Sequence, residues 1–373
     1  MKKAIVAGHV CLDVTPSFPE NREKSLGQIF APGKLTKVDA ANIHTGGCVA
    51  NTGLAMKFLG APVTLMGKIG ADSFGSLVLS VLSAHGAEGG MITDEAVSTS
   101  YSIVLAVPGV DRMFLHNPGA NDTFRAEDVP QDALDEACLF HFGYPPLMKS
   151  MYENGGEGLG TLLAKAQKAG CAVSLDMAGV DPDSEAGKAD WQAILTRVLP
   201  LTDFFVPSIE ELLYMLDRNR WEALTAAGED VTAGEEVQSL AAALADQCLS
   251  MGAKVVLIKC GVAGMYLKTT DEEALRRMAP ALGLDAAKWA NQSIFEESYV
   301  PDRVLSGTGC GDTSIAAFLT SILEGCGPEE TMHLSAATGA CCVTAYDALS
   351  GLLPLDELRK KIADGWKKLD GNE

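Results

Sequence analysis

The chain has 373 residues, 47% of them hydrophobic and 21% charged, which suits one large α/β domain or two ordinary ones in a soluble protein. A formal net charge of −20 argues against a nucleic-acid partner, although a local anion hole can still accept a nucleotide. No apolar run reaches the ~20 residues that span a bilayer, so no membrane partner is expected. Ten cysteines without a C-x-x-C pair predict reduced thiols in a cytoplasm.

Lys3 to Val14 reads as one buried strand with Gly8 inside it and Asp13 at its end. The apolar run after Lys2-Lys3 breaks at Gly8-His9, too soon for a signal peptide. An acidic residue at the carboxyl end of a core strand faces a ligand crevice or closes a turn. Residues 15 to 44 carry prolines at 16, 19 and 32, which predicts loops and short strands in a small excursion from the core. Thr45-Gly46-Gly47-Cys48-Val49-Ala50-Asn51 then opens an apolar helix that ends near Gly60. Adjacent glycines serve as a hinge, permit close backbone approach, or make a plain turn. Val63 to Met66 is a strand, and Asp72 is placed to cap a helix from Ser73. Tyr101 to Val107 and Arg112 to His116 form a hairpin turning at Pro108-Gly109-Val110-Asp111, followed by Pro118-Gly119-Ala120-Asn121.

From Ala126 onward helices and strands alternate. Strands are expected at Leu139 to Gly143, Ala172 to Asp176, Phe204 to Val206 and Lys254 to Lys259. Helices are expected at Leu159 to Ala169, Trp191 to Leu199, Glu210 to Leu216 and Val237 to Met251. This order implies βαβ units and a mostly parallel sheet covered on both faces. Lys259-Cys260-Gly261-Val262-Ala263-Gly264 closes a glycine turn with Met265 to Lys268 returning, and residues 269 to 297 read as a polar insertion. Two tail helices, Met332 to Ala345 and Leu355 to Leu369, complete the chain.

The organising stretch is Ser306-Gly307-Thr308-Gly309-Cys310-Gly311-Asp312-Thr313. It lies between a strand-like run, residues 298 to 305, and an apolar helix, Ser314 to Leu323. Glycines let backbone N–H groups converge, and a helix N-terminus adds partial positive charge, so the stretch is an anion site or a capped turn. Asp312 falls in the first turn, where a carboxylate is favoured. The same setting predicts a reactive, acidified Cys310 thiol, or else a buried small residue.

This stretch resembles the Gly-Ala-Gly-Asp signature of the ribokinase, or pfkB, family of carbohydrate kinases, with Cys310 in place of the alanine. Further motifs follow the family's order: Gly8 and Asp13, Gly46-Gly47-x-x-x-Asn51, Gly67 to Gly75, Gly119-Ala120-Asn121, and Lys259-x-Gly261-x-x-Gly264. The resemblance implies a three-layer ribokinase-like α/β fold. Its core would comprise residues 1–14, 46–92 and 122–373, with a small β lid from 15–45 and 93–121. It implies Asp312 as catalytic base and Gly309, Cys310 and Gly311 as anion hole. Asp13, Asn51 and Asn121 would bind the sugar, and Gly46 and Gly47 would form the lid hinge. Lys259, Gly261, Gly264 and Ser208 would border ATP. Glu211 would support Mg²⁺ through water. Two departures stand out. Ser208 replaces the asparagine of the family's Asn-x-x-Glu element. Ser306 and Gly307 replace an Asp-Thr pair, which leaves the monovalent cation open.

The implied activity is ATP-dependent phosphorylation of a hydroxymethyl group on a pentose or hexose, in a possible homodimer formed through the lid. A nucleoside kinase and a non-catalytic sugar- or nucleotide-binding regulator are the alternatives. More apolar and aromatic residues in the lid would favour a nucleoside.

Overall fold

A computed structural model describes residues 3–18, 26–107, 113–234, 236–278, 280 and 282–369; the expected hairpin tip at 108–112 lies outside them. Short runs that are buried on both sides dominate the centre: β1 (Ala4–Gly8), β4 (Val63–Met66), β9 (Leu139–Gly143), β10 (Ala172–Leu175), β11 (Phe204–Phe205) and β12 (Val255–Lys259). They pair in parallel in the order β12-β11-β10-β9-β1-β4. Two antiparallel strands, β13 (Gly264–Thr269) and β14 (Ser293–Glu297), extend the sheet to eight.

Side chains alternate across this sheet, and each face has its own core. Ile5, Ala7, Phe140, Phe142, Val256 and Ile258 pack on one face against the helices Lys149–Lys168, Trp191–Val198, Ile209–Leu216 and Val237–Ser250. Ala4, Val6, Leu139, Val255 and Leu257 pack on the other against Cys48–Phe58, Cys310–Glu324, Pro328–Cys342 and Leu355–Ala363. This is the three-layer α/β architecture that the alternating pattern implied. Among the described residues no helix is long and apolar enough to cross a membrane.

A second sheet leans over the carboxyl ends of the core strands. Its order is β3-β2-β7-β8, from β2 (Cys11–Pro16), β3 (Ala41–Gly46), β7 (Tyr101–Leu105) and β8 (Met113–Asn117). A two-stranded pair, β5 (Lys68–Gly70) with β6 (Ile92–Asp94), flanks it.

The run expected as one strand, Lys3 to Val14, is therefore two strands in two sheets. The chain turns at Gly8 (φ 128), where a side chain would collide with the Gly143 carbonyl. Val10 is then clamped by Asn121, whose Oδ1 accepts the Val10 N–H (3.2 Å) and whose Nδ2 donates to the Val10 carbonyl (2.9 Å). Asp13 thus sits on the second sheet, and that sheet begins at Cys11, inside the span expected to be core. On the other side of the expected lid, residues 92–94 pair with β5.

Three further expectations change. Residues 269–297 are not a polar insertion over a pocket: they supply edge strand β14 and bury Leu275, Met278 and Trp289 in the core. Residues 298–305 carry only an isolated bridge, Tyr299 to Lys368, because β14 has already taken the strand position upstream. The helix Arg218–Ala227, which buries no residue, has no apolar stripe by which to find it in the sequence.

Candidate active site

Polar side chains gather where the core strands end. His9 follows β1, Tyr144 follows β9, Asp176 follows β10, and Lys259 closes β12. In parallel sheets the carboxyl ends of the strands open onto the ligand crevice, so one rule places all four. The helix Cys310–Glu324 points its N-terminus at them. Gly309 is its N-cap in the left-handed region (φ 76), and a Cβ there would lie 2.6 Å from the Ala348 Cβ. Only glycine meets both demands.

Asp312 is buried (4% exposed) and receives three hydrogen bonds. Asn51 Nδ2 (2.9 Å) and the Tyr144 hydroxyl (2.7 Å) donate to Oδ2, and the Thr52 hydroxyl donates to Oδ1 (3.2 Å). Tyr144 takes a left-handed backbone (φ 69), uncommon for a bulky residue, to make its bond. Burial and the Asp312 carboxylate push its phenol well above its ordinary range, so it stays a donor. Tyr144 and Thr52 carry no motif signal. They emerge only because β9 and the helix Cys48–Phe58 meet at Asp312.

Lys259 Nζ pairs with Asp176 Oδ1 at 2.7 Å, with the carboxylate 1% exposed. Burial disfavours the ammonium, but Asp176, Glu211 and Asp312 outweigh it and hold Lys259 protonated. Burial pushes Asp176 up, and the Lys259 ammonium pulls it back toward the ionised form. The alkyl chain of Lys259 passes Gly311, where a Cβ would lie 3.4 Å from Cδ.

Two cavities meet at this centre. The first, about 260 Å³, has a mostly apolar wall that includes Val262, Met265, Ala336, Gly339 and Ala340, and it reaches Lys259, Cys310 and Gly311. Gly261 and Gly264 are among its lining residues. The second, about 720 Å³, runs between the two sheets and is lined by His9, Asp13, Gly47, His116, Asp122 and Tyr144 among others. Asp312 stands between them, linked to the first by Gly311 and to the second by Tyr144.

Gly46 and Gly47 flank the second cavity. A side chain on Gly46 would overlap Asp13 Oδ2, and a Cβ on Gly47 (φ 85) would lie 2.5 Å from His9 Nδ1. The structure therefore assigns them a close approach that holds Asp13 and His9 in place.

Several expected site residues behave differently. Asn121 is fully buried and both its polar atoms serve Val10, so it holds the β1–β2 turn and does not face the cavity. The Cys310 N–H already donates to the Gly307 carbonyl at 3.3 Å. Burial first, and then the Asp312 carboxylate, push the Cys310 thiol up, the reverse of an acidified cysteine. Ser208 and Glu211 form a capping box: the Ser208 N–H donates to Glu211 Oε2 (2.7 Å) and the Glu211 N–H to Ser208 Oγ (3.2 Å). One Glu211 oxygen is thereby used in starting a helix. Ser306 Oγ accepts the Thr308 N–H (3.1 Å) and brings no carboxylate to the turn. Among the described residues, no three His, Cys, Asp or Glu side chains cluster as a metal cage.

A family model described as pfkB family carbohydrate kinase matches residues 1–354. Ribokinase of Arabidopsis thaliana is 25% identical over 326 residues, 86% of this chain and 72% of that protein. The 2-dehydro-3-deoxygluconokinase of Bacillus subtilis is 24% identical over 331 residues, 87% of this chain and 89% of that protein. Among solved structures, an E. coli protein described as ribokinase II, in complex with ATP and Mg²⁺, superposes with a TM-score of 0.71. It is 19% identical, and the match covers 98% of this chain and all of that one.

Proposed function

Because the chain belongs to the pfkB family of carbohydrate kinases, we propose that it transfers the γ-phosphoryl group of ATP to a hydroxymethyl oxygen of a pentose or hexose. The observation that carries this reading is the position of Asp312. It is a buried carboxylate at a helix N-terminus, between an apolar cavity and the larger cleft that carries Asp13 and Asp122 in its wall.

The acceptor hydroxyl lies against Asp312, which takes its proton as the new P–O bond forms and ADP departs with the electrons of the broken one. In a loose transition state the proton leaves late, so orientation matters more than basicity. Asn51, Thr52 and Tyr144 supply that orientation by fixing the plane of the carboxylate. Asn51 donates through Nδ2, and its Oδ1 is the side that meets a substrate hydroxyl. Asp13 binds a second hydroxyl. Gly309 and Gly311 form the wall against the transferring phosphoryl group, with Lys259 beside them. Glu211, with one carboxylate oxygen outside the capping box, would support Mg²⁺ there, and the ion would offset phosphate charge. The second sheet acts as the lid and excludes water on closing. A homodimer through that sheet belongs to the same proposal, carried by its exposed Ile43 and Leu115.

The second reading, a nucleoside acceptor, draws support from Phe114, Tyr144 and Tyr152 in the wall of the cleft. The test is acceptor-dependent ADP release across pentoses, hexoses and nucleosides. Release with none of them, alongside tight binding, would favour a non-catalytic regulator.

A further inference from the structure

The cleft between the sheets has a charge signature of its own. Its described lining carries three carboxylates, Asp13, Asp122 and Asp181, and neither lysine nor arginine. The two cavities that continue it past Asp13 add Asp347 and again no lysine or arginine among the described residues. Lys149 gives Asp122 its backbone N–H (2.8 Å) and its charge acts on that carboxylate, but its exposed side chain is not part of the wall. No fixed positive charge therefore answers an anionic ligand in the described wall.

The two histidines of the wall do not change this. His9 is 2% exposed and both its ring nitrogens are shut off from the cavity, with Nδ1 packed against Gly47; its ring lies 5.4 Å from His116 and 6.0 Å from Tyr144 between centroids.

We propose that this cleft takes an uncharged polyhydroxylated substrate, selected against sugar acids and sugar phosphates. The proposal rests on the kinase reading and sharpens it. Burial and the neighbouring His116 hold His9 down to about 3, and burial lowers His116 as well, so neither histidine supplies a positive charge at neutral pH. Like-charge juxtaposition in a partly desolvated site is strongly penalised. The anionic derivative of the best substrate should therefore lose at least about 100-fold in kcat/KM.

The experiment uses the full chain with ATP and Mg²⁺. The best neutral acceptor, pentose, hexose or nucleoside, is compared with its carboxylate and phosphate counterparts by ADP release. The same compounds are compared by calorimetry with a non-hydrolysable ATP analogue. Preference for the neutral compound in both assays supports the proposal. Turnover that is equal or better on an anionic derivative overturns it while leaving the kinase reading intact. Neutral polyols that bind without any ADP release sustain the charge inference and defeat the kinase reading.

Discussion

Asp312→Asn is the sharpest test of the proposed base, and the geometry shows why asparagine is the right replacement. The native carboxylate accepts from Asn51, Tyr144 and Thr52. Alanine would strand all three donors. At about 1–3 kcal/mol for each unsatisfied buried group, that change risks unfolding the site before any chemistry is measured. Asparagine can keep its oxygen toward Asn51 and Tyr144, and the Thr52 hydroxyl can rotate to accept from the new amide. Packing and most hydrogen bonds survive, while proton acceptance is lost. A positioned base is worth about 10²–10⁴ in rate, or about 2.7–5.4 kcal/mol in the barrier. Acceptor-dependent ADP release should fall by that factor in kcat. Nucleotide and acceptor affinities should move only slightly, because the new amide can still hydrogen-bond the acceptor hydroxyl and the other binding groups are untouched. An Asp312→Asn protein with wild-type kcat on its best acceptor would refute the base assignment and the mechanism built on it.

Three further outcomes follow from particular contacts. Gly47→Ala should cost about 1–3 kcal/mol in denaturant unfolding, because it forces a side chain into a left-handed backbone 2.5 Å from His9; wild-type stability would show that the approach is loose. His9 and His141 are each held down to about 3, chiefly by burial, against an unfolded value near 6.5. Their unfolded forms bind the extra protons, so the stability they permit is complete above pH ~6.5 and is lost as pH falls toward 3. Two such groups give a slope of about 2.7 kcal/mol per pH unit in that window, and His9→Phe should halve it in acid-unfolding titrations. Because burial and Asp312 push Cys310 up, iodoacetamide should modify it more slowly than free glutathione at pH 7; rapid labelling would contradict the site's electrostatics.

Much of this molecule was legible because its signals are local. The buried runs of β1, β9, β10 and β12, separated by helices with one apolar face, specify a parallel sheet covered on both sides. The glycine-rich stretch from Gly307 to Asp312 can make little other than a tight turn into a helix. Asp72 capping the helix at Ser73 is equally local, a bond over three residues to the Gly75 N–H. The departures are long-range. Whether Lys3 to Val14 is one strand or two depends on Gly143 and Asn121, more than 100 residues away, because they create the turn at Gly8 and hold Val10. Residues 269–297 look polar along the chain yet bury Trp289, since the partner surface comes from helices later in the sequence. Tyr144, Asp176 and His9 carry no motif, and they become a site only when the sheet aligns the ends of β9, β10 and β1. The sequence by itself determined the layers and the glycine turn that carries Asp312, through periodicity and short-range turn chemistry. The tertiary structure decided the surroundings of Asp312 and the charge of the cleft, because contacts between distant strand ends follow from sheet order, which no local pattern encodes.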